Sequence, residues 1–177
     1  MSLVTSLKIL ITGRPGSGKT TLIKRVVEKL PQPAGGFYTE EIREHGTRVG
    51  FKIVTLDGKE TVLAHINLSG PERVSKYGLD LRGLEKIGVK AIHAALAAHR
   101  LLVIDEIGPM EIRSAAFRDA VVEVLESDRP VLATIFARPL PFTEKLKCRP
   151  DVTLIEVRPD NRTKLVSELV KRFSVEK

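Results

Sequence analysis

The chain has 177 residues and a mass of 19.6 kDa, with 42% apolar and 29% charged residues, which suits a soluble globular domain and excludes disordered and collagen-like classes. Its longest unbroken apolar runs are about five residues, against roughly 20 for a membrane-spanning helix, and no secretory apolar region follows Met1-Ser2-Leu3. Lys and Arg outnumber Asp and Glu by 29 to 22, a net charge of +7 that favours anionic partners, while the lone Cys148 excludes an internal disulfide and points to a cytoplasmic setting.

In chain order, Leu7 to Thr12 is a β-rich run that ends at a glycine, as a buried strand does. From Lys19 to Leu30, Leu22, Ile23, Val26, Val27 and Leu30 form one apolar stripe opposite Lys24, Arg25, Glu28 and Lys29, a helix that Pro31 and Pro33 stop. The rhythm then changes. Phe37–Ile42, Arg48–Leu56 and Thr61–Ile66 read as strands broken at Glu44-His45-Gly46 and at Asp57-Gly58, so 36–81 is expected to be an antiparallel β meander inserted after the first helix.

Alternation resumes with a helix from Leu84 to about Ala98 and a strand at Leu101–Asp105. A helix from Ala115 to Glu126, capped by Ser114, and a strand at Pro130–Ile135 follow. A short helix near Phe142–Lys147, a strand at Val152–Val157 and a helix from Arg162 to Phe173 close the chain. Strands alternating with helices of these lengths predict an α/β fold, with a mostly parallel sheet covered on both faces. Residues 1–177 are accordingly taken as one domain carrying the insertion.

Gly13-Arg14-Pro15-Gly16-Ser17-Gly18-Lys19-Thr20 meets every constrained position of G-x-x-x-x-G-K-[ST], between a strand and a helix as that motif requires. Its glycines let backbone N–H groups converge on phosphate oxygens at a helix N-terminus. Lys19 is expected to neutralise the β- and γ-phosphates, Thr20 to ligate Mg²⁺, and Thr21 to reach the α-phosphate. Leu101-Leu102-Val103-Ile104-Asp105-Glu106 is an apolar strand ending in two acids, the Walker B pattern. Alone, two acids at a strand end describe a solvated loop; after a phosphate loop, Asp105 is the candidate metal ligand and Glu106 the candidate base for water.

Other constellations carry less. His45, His65, His93 and His99 lack ligand spacing. Aromatics do not interleave with the basic residues, so nucleic acid is a conceivable partner without a supporting motif. Arg14, Arg43, Arg48, Arg138, Arg149 and Arg162 are each candidates to touch phosphate, although a solvated surface role accounts for any one of them.

With both phosphate motifs placed, the sequence resembles the cancer-related nucleoside-triphosphatase family, which has thermophilic bacterial and archaeal members. The resemblance spans almost the whole chain. It rests on Thr12 through Thr21, on Gly36-Phe37-Tyr38-Thr39-Glu40-Glu41-Ile42-Arg43, and on Arg48-Val49-Gly50-Phe51. Ile104-Asp105-Glu106-Ile107-Gly108-Pro109-Met110-Glu111 and the late Asn161-Arg162 complete it. It implies a RecA-like P-loop fold and Mg²⁺-dependent hydrolysis of ATP, GTP and other nucleoside triphosphates, with loose base selection.

By that similarity, Gly13 to Thr20 and the stretch Leu101, Leu102, Val103, Ile104, Asp105, Glu106, Ile107 and Gly108 line the nucleotide site. One position departs: family members often carry histidine where this chain has Phe136, and Thr134 is the nearest polar substitute. Two alternatives stand beside the hydrolase. A small nucleotide or nucleoside kinase fits the length and loop equally but lacks an arginine-rich lid or acceptor motif. An ATP-regulated nucleic-acid-binding module draws only on the positive charge.

Overall fold

In the computed structural model, which describes residues 6–175, strands and helices alternate along most of the chain. The Met1-Ser2-Leu3 start lies outside the described residues. The elements are β1 (Lys8–Thr12), α1 (Lys19–Lys29), β2 (Ala34–Glu44), β3 (Thr47–Thr55), β4 (Glu60–His65), β5 (Arg73–Val74) and β6 (Tyr77–Leu79). Next, α2 (Leu81–Gly83) runs into a π-helical segment (Leu84–Val89) and α3 (Lys90–Ala97). Then follow β7 (Leu101–Ile107), a 3₁₀ turn (Glu111–Arg113), α4 (Ala115–Glu126), β8 (Val131–Ile135), α5 (Pro141–Lys147), β9 (Thr153–Glu156) and α6 (Arg162–Val175). Among the described residues no helix is long and apolar enough to cross a membrane.

All nine strands join one sheet in the order β5-β6-β4-β3-β2-β7-β8-β1-β9. From β2 to β9 the neighbours are parallel, and from β2 outward through β3, β4, β6 and β5 they are antiparallel. The meander is therefore an extension of the core sheet. It grows out of β2, whose Ala34–Phe37 pair with Leu101–Ile104 of β7 and whose Phe37–Glu44 pair with β3.

This strand begins three residues before the predicted Phe37 because Gly35-Gly36, which look like a break, serve close packing instead. A methyl group on Gly35 would come within 2.5 Å of Ala95 Cβ on α3, and one on Gly36 would collide with the Val103 backbone. The turn after β2 uses positive φ at both His45 and Gly46, which suits a two-residue hairpin. The next helix also starts early, at Leu81, where the Asp80 side chain accepts from Gly83 N at 2.9 Å and caps the first turn.

Two apolar cores flank the sheet. Ile9, Ile11, Val103 and Leu132 face α1 and α6, while Leu10, Leu102, Ile104 and Ala133 face the π-helical segment, α3 and α4. Successive strand residues bury into opposite cores, so central strands read as unbroken apolar runs. The C-terminal ends of β1, β8 and β7 share one edge of the sheet, and β8 separates the glycine-loop strand from the acidic strand.

Candidate active site

The loop after β1 reaches its shape through Gly16 (φ 77°) and Gly18 (φ 91°), both in the left-handed region that side chains with a Cβ rarely occupy. Gly18 caps α1 with no side chain accepting from the first helical amides, and the first turn holds no acid. These amides therefore keep their partial positive charge for an outside anion. Ser17 adds a second sign of a ligand site: it is 6% exposed and its Oγ has no hydrogen-bond partner. A buried hydroxyl without a partner costs roughly 1–3 kcal/mol, which a bound oxyanion would recover. The Lys19 ammonium lies back over the loop, donating to the carbonyls of Gly13 (3.0 Å) and Arg14 (3.3 Å).

Across the edge, β7 bulges after Ile104. Ile104 pairs with Ala133 and Ile107 with Ile135, so three steps on β7 match two on β8. The bulge holds Asp105 and Glu106, whose peptide bond is cis. Asp105 is 1% exposed, and its two carboxylate oxygens are separately held. Thr20 Oγ1 donates to Oδ2 at 2.7 Å and Thr134 Oγ1 to Oδ1 at 2.6 Å. Thr39 Oγ1 donates to the Asp105 carbonyl at 2.6 Å.

Burial pushes the Asp105 carboxyl above its ordinary range, opposed by the hydroxyl bonds from Thr134 and Thr20, by the Thr39 backbone and by the Lys19 charge. Burial, then the neighbouring Asp105 charge, also raises Glu106, again against Lys19. Glu111, 4% exposed in the 3₁₀ turn, is raised furthest, first by burial and then by the charges of Glu106 and Asp105. Three carboxyls thus share one low-dielectric region, and of these Asp105 is the one held by hydroxyls. Gly108 completes it, since a Cβ there would stand 2.5 Å from Glu106 Oε1.

The expected site residues divide into two groups. Gly13 to Thr20, Asp105 and Glu106 converge on one edge, with Arg14, Pro15 and Thr21 exposed and Ile107 and Gly108 buried beside the acids. Leu101 to Ile104 do not line a cleft. Each is at most 1% exposed, and their side chains alternate between the two cores, so this stretch carries the acids rather than facing a ligand. Thr134, the substitute beside Phe136, points at Asp105 from β8.

Two participants escaped notice as site residues: Thr39 and Glu111. Both sit inside the distinctive blocks of the sequence, the only local signal they gave. Of the candidate arginines, Arg43 and Arg48 pair with Glu41 and Arg149 with Asp151, all away from the loop. Among the described residues, no cluster of His, Cys, Asp and Glu has the makings of a metal site. Thr20 and Asp105, 2.7 Å apart, are hard oxygen donors of the kind a divalent cation takes.

A glycine loop feeding an uncapped helix, a lysine and threonine at its start, and a buried acid one strand removed define a P-loop nucleoside-triphosphatase of RecA-like arrangement. Comparison with known proteins agrees. The NTPase family model matches residues 8–170, and the chain belongs to that family. It is 50% identical to the nucleoside-triphosphatase THEP1 of Thermotoga maritima over 164 residues, covering 93% of this chain and 94% of that protein. With the THEP1 of Methanocaldococcus jannaschii it shares 41% identity over 171 residues, covering 94% of this chain and 97% of that one.

Two solved structures share the fold. The crystal structure of THEP1 from the hyperthermophile Aquifex aeolicus superposes with a TM-score of 0.85 at 35% identity, covering 92% of this chain and 96% of that one. The solution structure of a human cancer-related nucleoside triphosphatase gives 0.83 at 35% identity, covering 97% of this chain and all of that one.

Proposed function

We propose that this protein hydrolyses ATP, GTP and other nucleoside triphosphates to diphosphate and phosphate, with Mg²⁺ as cofactor and broad tolerance of the base. The observation that carries the proposal is Glu106, a carboxyl next to the Asp105–Thr20 pair, a base that serves water as the nucleophile and needs no second substrate.

In this scheme the loop amides of residues 16–20 cradle the phosphates. Lys19 leaves its carbonyl partners to neutralise charge between the β- and γ-phosphates. Thr20 and Asp105 would hold Mg²⁺, which when bound neutralises charge building on the phosphate oxygens. Thr134 and Thr39 fix Asp105 so that its carboxylate is aimed before substrate arrives. Glu106 accepts the proton of the attacking water, and its raised proton affinity makes it a stronger base for that task than an ordinary carboxylate.

The test is phosphate release from ATP, GTP, CTP, UTP and TTP, with Lys19→Ala beside the wild type. Release from every triphosphate, abolished in the variant together with a clear loss of nucleotide affinity, is the expected result. Near-normal hydrolysis by Lys19→Ala would overturn the site. Label from ATP found only in a phosphorylated acceptor, with no free phosphate when the acceptor is omitted, would replace the hydrolase with a kinase.

A further inference from the structure

The strand order gives the site two distinct sides. From β1, which carries the glycine loop, β8 and then β7 with Asp105 lie one way, and β9 lies the other. Thr20 and Asp105 meet on the β7 side, so the terminal phosphate of a triphosphate faces that side. Its nucleoside then leaves toward β9 and the loop into α6.

That loop is fastened to the phosphate loop. Val157 N donates to the Thr12 carbonyl at 2.8 Å, and a methyl group on Gly13 would stand 2.7 Å from the Val157 carbonyl oxygen. Asn161 braces it from within, its Oδ1 accepting from Arg158 N at 2.8 Å and its Nδ2 donating to the Glu156 carbonyl at 3.0 Å. Arg162, the first residue of α6, is thereby laid against Gly18. A Cβ at Gly18 would come 2.7 Å from Arg162 Cδ and closer still to Nη1.

The neighbouring Arg158 is ion-paired with Glu156 (3.7 Å) and Asp160 (3.3 Å). The Arg162 guanidinium, only partly exposed, has neither an ion pair nor a hydrogen bond among the described residues. A planar cation without a partner, held beside the phosphate loop on the nucleoside side, is suited to lie on an aromatic ring.

We propose that Arg162 forms the nucleobase subsite, its guanidinium plane packing on the face of the base. This rests on the proposed nucleotide chemistry and gives its base tolerance a cause. The polar side chains of the loop are already engaged: the Asn161 amide on backbone, and Glu156 and Asp160 on Arg158. They are not free to read a base edge, whereas every base offers a π-face. The subsite therefore takes nucleoside triphosphates as a class and does not select among them.

Binding titrations of the full chain with Mg²⁺ test this, using non-hydrolysable analogues of ATP, GTP, CTP and UTP and inorganic tripolyphosphate. Arg162→Ala is expected to weaken all four nucleotides by about 5- to 100-fold and tripolyphosphate by less than about twofold. Arg162→Lys keeps the charge without the plane and is expected to bind nucleotides as poorly as Arg162→Ala, while Arg162→Tyr regains most of the affinity. Thermal melts of each variant separate lost folding from lost binding.

Equal weakening of tripolyphosphate, or rescue by lysine, would make Arg162 a phosphate contact and overturn the proposal. A loss confined to one base would show edge recognition, and no loss would leave Arg162 a packing residue; either result also overturns it. Wild-type protein that binds none of these ligands would instead refute the nucleotide function itself.

Discussion

Replacing Thr134 by valine removes one hydroxyl and leaves a side chain of similar shape, so the fully buried site opens little cavity. What is lost is a 2.6 Å bond to Asp105 Oδ1, at a carboxyl that is 1% exposed. A hydrogen bond to a charged group contributes about 1.5–3 kcal/mol, and for a chain of this size each kcal/mol moves the melting temperature by roughly 2–4 °C. The variant is therefore expected to melt about 3–12 °C below wild type at pH 8, without nucleotide and with chelator present.

The size of the drop depends on pH, and its sign follows from the carboxyl. Burial raises the Asp105 proton affinity and the Thr134 bond lowers it, so this bond favours the ionised form. Below the folded pKa of Asp105 the carboxyl is neutral and the missing bond matters less. The difference between variant and wild type should shrink as pH falls through the raised Asp105 value. Differential scanning calorimetry at several pH values measures it. A shift under about 1 °C at pH 8, or a shift that stays the same down to the acid limit of folding, would refute the assignment of this hydroxyl as the brace of a charged Asp105.

Glu106→Gln should keep nucleotide affinity and lower kcat by about 10²-fold or more, read by steady-state phosphate release. Because the Glu106 proton affinity is raised, wild-type kcat should fall as pH drops through that raised value, and the limb should vanish in the variant. Glu111→Gln should raise the melting temperature at pH 8. A carboxyl whose folded pKa lies above its unfolded value adds stability at low pH and loses it as pH climbs through the folded value, so melting curves of variant and wild type should draw together near pH 4.

The order of strands and helices was legible in the sequence because it depends on residues only a few positions apart. The apolar stripe Leu22, Ile23, Val26 and the Ser114 cap, which accepts from Phe117 N at 3.1 Å, are local matters and lie where their spacing puts them. The phosphate loop was legible for the same reason: its glycines specify a backbone shape without help from the rest of the chain. Asp105 could be picked out because an apolar strand ended in acids.

Tertiary structure alone decided the remainder. Gly35-Gly36 look like a break and instead let β2 pass close to Ala95 and Val103, which made one strand serve both halves of the sheet. Thr39 and Thr134 reach Asp105 from strands 66 and 29 residues away in sequence, and Glu111 becomes a strong proton holder only through burial beside Glu106. Arg162 lies against Gly18 because β9 neighbours β1. Local pattern sets backbone shape, while strand order sets which distant side chains share a low-dielectric pocket. Local pattern alone therefore specified a nucleotide-binding α/β protein, and the packed sheet decided how Asp105 is held and which side chain lies against the phosphate loop.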